Sequence, residues 1–254
     1  MDLTNKAKAV AVLNSIQTGE QEPISYINPN KYIQHNLAVG DGLVGFGEVM
    51  KHAPNTGFKV KVVRAFADGD YVVCHSEYDF FGPKVGFDVF RFENGLIVEH
   101  WDNLTELTSP NESGRTQLDG PTEIEDKDET EVNKTLLKDF ISSVLIEEKR
   151  ERARSFFEGN TYYQHNPTIA DGLQALADFR KERAEQGILM EYHKLHKVIG
   201  EGNFVLTMCE GEISGKPSAY YDLFRISDNK IIEHWDVVET ILPKSEWKND
   251  NGKF

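Results

Sequence analysis

Glu99-His100-Trp101-Asp102 is the stretch that decides the fold, because it recurs as Glu233-His234-Trp235-Asp236. Side chains on a strand alternate between faces, so His100 and Asp102 share one face and Glu99 and Trp101 the other. A histidine and an acid on one enclosed face are equipped for proton transfer. Finding the four residues twice raises the question of whether the whole chain is doubled.

Working outward, the doubling extends. Tyr32-Ile33-Gln34-His35-Asn36 through Asp41-Gly42-Leu43 returns as Tyr162-Tyr163-Gln164-His165-Asn166 through Asp171-Gly172-Leu173, with 7 of 12 positions identical at an offset of 130. Asp88 to Asp102 matches Asp222 to Asp236 with 8 of 15 identical at an offset of 134. Between them, Asp68-Gly69-Asp70 matches Glu201-Gly202-Asn203 at an offset of 133. Order is kept and the offset drifts by 4 residues, which reads as a tandem duplication of a domain of about 110 residues. The boundaries read as 1–108 for the first domain, 109–130 for a linker, 131–243 for the second domain and 244–254 for a tail. The linker reading rests on charge: eight acids from Glu112 to Glu131 face only Arg115 and Lys127, so the segment is expected to be solvated.

Each repeat changes from helical to extended period. Ala9, Val12, Leu13 and Ile16 mark a helical face within Leu3 to Ile16, and Asp41 to His52 reads as a second helix with Asp41 as its N-cap. Their counterparts are a long helix or a broken pair from Glu131 to Phe157, and a helix from Asp171 to Gln186. Four strands follow in each repeat: Phe58–Ala67, Tyr71–Phe80, Val85–Phe92 and Ile97–Leu107 in the first, Met190–Ile199, Phe204–Ile213, Ser218–Ile226 and Lys230–Ile241 in the second. Helices followed by an antiparallel meander make an α+β fold, its twisted sheet curling over the helices to enclose a pocket.

Charge sets the register of the last hairpin. Opposing Arg91 to Glu99, and Arg225 to Glu233, gives the same favourable cross-strand pair twice. A three-residue turn, Asn94-Gly95-Leu96 or Asp228-Asn229-Lys230, then places Phe90 opposite His100 and Asp88 opposite Asp102. Two carboxyls meeting in a cavity resist joint ionisation, so at least one is expected to titrate high. His75 and Glu77 share a face of the neighbouring strand, and the residue aligned with His75 is Met208.

The chain's charge of −14, from 28 basic and 42 acidic residues, excludes nucleic acid and anionic membranes as main partners. No apolar run reaches the length of a membrane span, Met1 to Gln17 carries an acid at Asp2 and lacks a signal peptide's pattern, and two cysteines make no disulfide framework. The expected location is the cytoplasm. A metal set of His35, His75, His100 and Asp102 is chemically acceptable to zinc, but no short ligand-spacing motif supports it, and the second repeat loses His75. No metal site is therefore expected.

These motifs, taken in order, resemble the SnoaL-like polyketide cyclase family, in particular its aldol-condensation-catalysing group, within the nuclear-transport-factor-2-like superfamily. The resemblance covers roughly Met1 to Thr108 and Glu131 to Pro243. It implies two tandem cone-shaped α+β barrels, each with N-terminal helices packed on a curved, mostly antiparallel sheet. Since family members typically hold one domain per chain and dimerise through the sheet, it also implies a covalent pseudo-dimer, with further homo-oligomers open. It assigns acid/base roles to Asp102 and Asp236, with His100 and His234 beside them, acting without a metal or organic cofactor on a small apolar carbonyl compound. His35, His75, Asp88 and Phe90, with His165, Asp222 and Phe224, are the expected substrate-binding residues. A non-catalytic ligand-binding module is the alternative.

Overall fold

The computed structural model describes residues 3–52 and 57–254, so Asp2 lies outside the described residues. The chain divides into two compact units, and their composition is unexpected. One unit is Met1–Leu107 with Ile241–Phe254; the other is Thr108–Thr240. Each therefore combines one repeat's helices and sheet with the segment that trails the other repeat's last strand.

In the first unit, helix α1 (Asn5–Thr18) starts at Thr4, whose hydroxyl accepts the Ala7 amide, and ends at Gly19 in the left-handed conformation. It buries Ala9, Val12 and Leu13. Helix α2 (Gly42–Lys51) begins after Asp41, yet Asp41 makes no side-chain cap. Its carboxylate instead accepts the Gln34 amide at 3.0 Å. The sheet comprises β1 (Ile33–Gln34), β2 (Lys59–Asp68), β3 (Tyr71–Asp79), β4 (Pro83–Glu93) and β5 (Leu96–Glu106), in the order β1-β5-β4-β3-β2. β1 runs parallel to β5, and every other pairing is antiparallel.

The second unit repeats the plan: α3 (Thr130–Asp139), β6 (Tyr163–Gln164), α4 (Leu173–Glu185), β7 (Met190–Glu201), β8 (Phe204–Ile213), β9 (Lys216–Ser227) and β10 (Lys230–Thr240), ordered β6-β10-β9-β8-β7. The stretch read as a long helix is broken. α3 widens into a π-helix over Phe140–Ile146, and a 3₁₀ turn follows over Arg150–Phe156. The wide turn presents Phe140, Ile141 and Val144 to the core. Asp171 does not cap α4 either; Gly172 stands at that position, and Asp171 accepts the Gln164 amide at 2.9 Å. Each unit is thus an α+β fold, helices against a curved, mostly antiparallel sheet, and the two follow each other along the chain. Among the described residues no helix is long and apolar enough to cross a membrane.

The hairpin register inferred from charge is present in both units, by a different route. Arg91 opposes Glu99, Phe90 opposes His100, and Asp88 opposes Asp102; Arg225, Phe224 and Asp222 oppose Glu233, His234 and Asp236. The turns hold two residues, not three. Asn94-Gly95 and Asp228-Asn229 all have positive φ, the requirement of a type I′ turn. The third residue is absorbed by a β-bulge, between Arg91 and Phe92 in one pairing and between Ile231 and Glu233 in the other.

The trailing segments are built alike. Asn111-Glu112-Ser113-Gly114-Arg115 and Asn249-Asp250-Asn251-Gly252-Lys253 align at an offset of 138. Both asparagines are buried. In the first unit Asn249 donates to the carbonyls of Asn36 (2.8 Å) and Val39 (2.9 Å). In the second, Asn111 donates to those of Gln164 (2.6 Å) and Ile169 (2.8 Å). The segment 109–130 is therefore not solvated throughout: Asn111 and Gln117 are buried among exposed neighbours, and its acidic second half is mostly exposed.

Candidate functional site

The inward face of each last hairpin carries a hydrogen-bonded chain of side chains. In the first unit His100 Nε2 lies 3.0 Å from Asp88 Oδ1, and His100 Nδ1 lies 3.1 Å from Gln34 Oε1. The Gln34 amide is oriented independently, because its Oε1 accepts the Asn36 backbone N–H at 2.8 Å. His100 Nδ1 must then be the donor to Gln34. Its Nε2 faces a carboxyl oxygen, so the Asp88–His100 pair holds one proton between the two groups. Tyr78 donates its hydroxyl to the other oxygen of Asp88. Phe90 stacks on the His100 ring at 4.7 Å, as Phe224 does on His234 at 4.8 Å.

The second unit reproduces the chain. Gln164 Oε1 accepts the Asn166 N–H at 2.9 Å and the His234 Nδ1–H at 3.1 Å, while His234 Nε2 lies 3.0 Å from Asp222 Oδ1. The tyrosine arrives from elsewhere. At the position of Tyr78 stands Gly211, where a Cβ would sit 1.9 Å from the Glu191 carbonyl. Tyr192, on β7 instead of β8, reaches Asp222 at 3.2 Å. A phenol on the buried carboxyl is kept although its strand has changed.

Asp102 completes the first set. It is 7% exposed. One oxygen accepts Asn36 Nδ2 at 2.8 Å, and the other, Oδ1, is buried with no hydrogen-bond partner among the described residues. Asn166 holds Asp236 in the same way at 2.7 Å, touching its second oxygen at 3.0 Å. Burial pushes the Asp88 carboxyl above the usual carboxylate range, with His100 opposing and Asp102 reinforcing the rise. Burial also raises the Asp236 carboxyl, against the charge of His234. Tyr32 and Tyr162 are buried beside these carboxyls, and both phenols are pushed up, by burial first and by the acids second.

Three of the expected site histidines are elsewhere. His35 lies on the reverse face, stacked on Trp101 at 4.7 Å, with Nε2 2.9 Å from Glu99 and Nδ1 donating to the Gly252 carbonyl at 2.8 Å. His165 repeats this against Trp235 (4.4 Å), Glu233 (2.8 Å) and the Thr116 carbonyl (2.7 Å). His75 pairs with Arg64 at 3.1 Å and stacks on Phe87, which is out of phase with Asp88 on β4. Strand parity excludes all three from the inward face, so the zinc set of His35, His75, His100 and Asp102 does not form. On the inward faces the donors that converge are Asp88, His100 and Asp102, and Asp222, His234 and Asp236, with ligand atoms within 4.8 Å of one another in each set. A cation there would have to displace the proton between aspartate and histidine.

Gln34, Asn36 and Tyr192, with Gln164 and Asn166, are the site residues that the expectation omits, while Tyr78, expected as an apolar pocket wall, donates to Asp88. The signal for four of them was present, since Gln-His-Asn occurs in both repeats; reading it for the histidine alone concealed the flanking amides.

No family model matches the chain, and no curated protein matches it. Solved structures are similar to it. An NTF2-like protein from Burkholderia xenovorans is 15% identical, with TM-score 0.34, over 44% of this chain and 92% of that one. An LEH-like epoxide hydrolase of M. tuberculosis is 18% identical, with TM-score 0.34, over 40% of this chain and 82% of its own. A protein assigned as a polyketide cyclase from Acidithiobacillus ferrooxidans is 13% identical, with TM-score 0.33, over 42% and 87%. Likeness at this level leaves the chemistry to be read from this chain's own side chains.

Proposed function

We propose that the chain is a cofactor-independent acid/base enzyme of the SnoaL-like type, a tandem duplication acting as a covalent pseudo-dimer. Its substrate is a small apolar carbonyl compound. The observation that carries this reading is the division of labour between the two inward carboxyls. Asp88 shares a proton with His100, while Asp102 keeps one oxygen without a partner. Enolisation needs both parts: a base for the proton α to the carbonyl and a donor for the carbonyl oxygen. Asp102 Oδ1 takes the α-proton as the C–H pair moves into the C–C bond. The Asp88–His100 proton passes to the developing enolate oxygen. Return of the α-proton at another carbon isomerises the compound, and attack of the enol carbon on a second carbonyl closes a ring. Asp236, with the Asp222–His234 pair, stands in the same place in the second unit, but Asn166 touches both of its oxygens, so it acts as base only once one of them is released. With buried unpaired thiols at Cys74 and Cys209, the proposed location is the cytoplasm.

The test is incorporation of deuterium from heavy water into the α-position of a panel of ketones and aromatic polyketide-like carbonyls, read by NMR. Wild-type protein is expected to accelerate exchange for at least one of them. The Asp102→Asn/Asp236→Asn double variant is expected to lose about 10²-fold or more while keeping its circular dichroism spectrum. Undiminished exchange in that variant removes the assignment.

One observation favours a second reading, a ligand-binding module without chemistry. Two clefts open on the helical sides of the units, and neither lining includes Asp102 or Asp236. Ligand binding without α-exchange across the whole panel decides for it.

A further inference from the structure

The two clefts occupy equivalent places and differ in one decisive residue. In the first unit the cleft lies between the end of α1 and α2, has a volume of about 260 Å³, and is lined by Ile16, Ile24, Leu43, Phe46 and Met50, with Glu20 its one charged lining residue. In the second unit it lies between the π-helix and α4, with a volume of about 130 Å³. At the 130-residue offset of the Gln-His-Asn blocks, Arg180 stands where the first repeat has Met50. Both line their clefts.

Arg180 is joined by Arg183, one turn further along α4, and by Arg150 at the rim. Arg150 is occupied by Glu148 at 3.2 Å. Arg183 lies over the Phe179 ring at 5.3 Å. Among the described residues no carboxylate lies within ion-pair distance of Arg180 or Arg183, although acids outnumber bases 42 to 28 in the chain. Both are half-buried. A partly desolvated guanidinium without a carboxylate is an unfilled fork of donors, shaped for a planar anion. Val144, Leu145, Phe179, Ile188 and Met190 supply apolar walls, and Glu148 and Glu191 are the acids of the lining.

From this we infer that the second unit's cleft binds a small apolar carboxylate, whereas the first unit's cleft takes an uncharged apolar molecule. Its volume of about 130 Å³, close to the roughly 150 Å³ of an apolar cavity that admits benzene, limits the ligand to a single ring with the carboxylate at the open side. Charge fits a monoanion. The lining's three guanidiniums face two carboxylates, Glu148 and Glu191, an excess of one. A phosphate monoester would leave negative charge uncompensated. Arg180 also acts on the phenols of Tyr162 and Tyr192, opposing part of the rise that burial and Asp222 impose on them. The carboxylate would therefore bind within electrostatic reach of the Asp222–His234 pair.

This concerns binding alone and stands whether or not either unit turns over. It is tested with the full chain by calorimetry and ligand-observed NMR, using benzoate, phenyl phosphate and benzamide. Benzoate is expected to bind at least tenfold more tightly than benzamide or phenyl phosphate. Arg180→Met is expected to abolish the preference over benzamide, and Arg180→Lys to retain part of it. Equal affinity for benzoate and benzamide, tighter binding of phenyl phosphate, a preference that survives Arg180→Met, or no benzoate binding would each overturn the inference.

Discussion

Glu233 and Asp236 stand three residues apart on one strand, on opposite faces, and their carboxyls are driven in opposite directions. Burial would raise Glu233, but bonds from His165 and the charge of Arg225 outweigh it and hold the carboxyl below its usual value. Its native pKa being lower than its unfolded one, Glu233 adds stability above about pH 4.5 that is lost as acid protonates it. Asp236 is raised by burial, so the native state binds its proton more tightly than the unfolded state does. Its contribution is favourable in acid and is lost as pH rises from about 4 through the raised value. Two denaturation series at pH 4 and pH 7 are expected to separate the signs. Relative to wild type, Glu233→Gln should be most destabilised at pH 7, whereas Asp236→Asn should gain there. The same sign in both variants would contradict the assignment of faces.

At the scale of elements, the bulged hairpin and the trailing segments aim the site. Without the bulge, a two-residue turn would oppose Asp88 to Trp101 and put the two carboxyls on different faces. The trailing segments act from outside the sheet. Asn249 holds the carbonyls of Asn36 and Val39, and Lys253 donates to the Asp102 carbonyl at 2.8 Å. Asn36 in turn holds the Asp102 carboxyl. Removing the amide leaves partly buried carbonyls unpaired, which costs on the order of 1 kcal/mol. Asn249→Ala is expected to raise hydrogen exchange in residues 33–41 and 99–103. Asn111→Ala should do the same in residues 163–171 and 233–237. The crossed assignment is the sharp part: each variant changes the repeat that its own segment does not follow in sequence.

For the molecule as a whole, one inward carboxyl set in each unit predicts additive behaviour under the proposed function. Asp102→Asn and Asp236→Asn, made singly, are expected each to remove one share of the α-exchange, the two residual activities summing to that of wild type. The Met50/Arg180 difference predicts that the shares divide by substrate, acidic compounds depending on Asp236 and neutral ones on Asp102. A rate that vanishes in either single variant would show one coupled site instead of two.

The sequence alone determined the doubled α+β plan, the strand order of each meander and the opposition of Asp88 to Asp102. Those follow from local causes: hydrophobic period for the elements and the Arg–Glu pair across each hairpin for the opposition, the turn itself holding two residues and not the three expected. Periodicity and pairing are written in neighbours along the chain, so they are legible without a fold. That Asp88, His100 and Asp102 share one face was legible for the same reason. The two-residue strands Ile33–Gln34 and Tyr163–Gln164 were not, because so short a run has no period and only its parallel partner makes it a strand. Nor was the placement of His35 and His165, set by Trp101, Trp235 and the trailing segments rather than by their own surroundings in sequence. Asp41 and Asp171 likewise exchanged a cap for a loop amide once the loop was folded beside them. What only tertiary structure decided about Glu-His-Trp-Asp is which oxygen is left free. Gln34 and Asn36, 66 residues before His100 and Asp102, orient one group and hold the other.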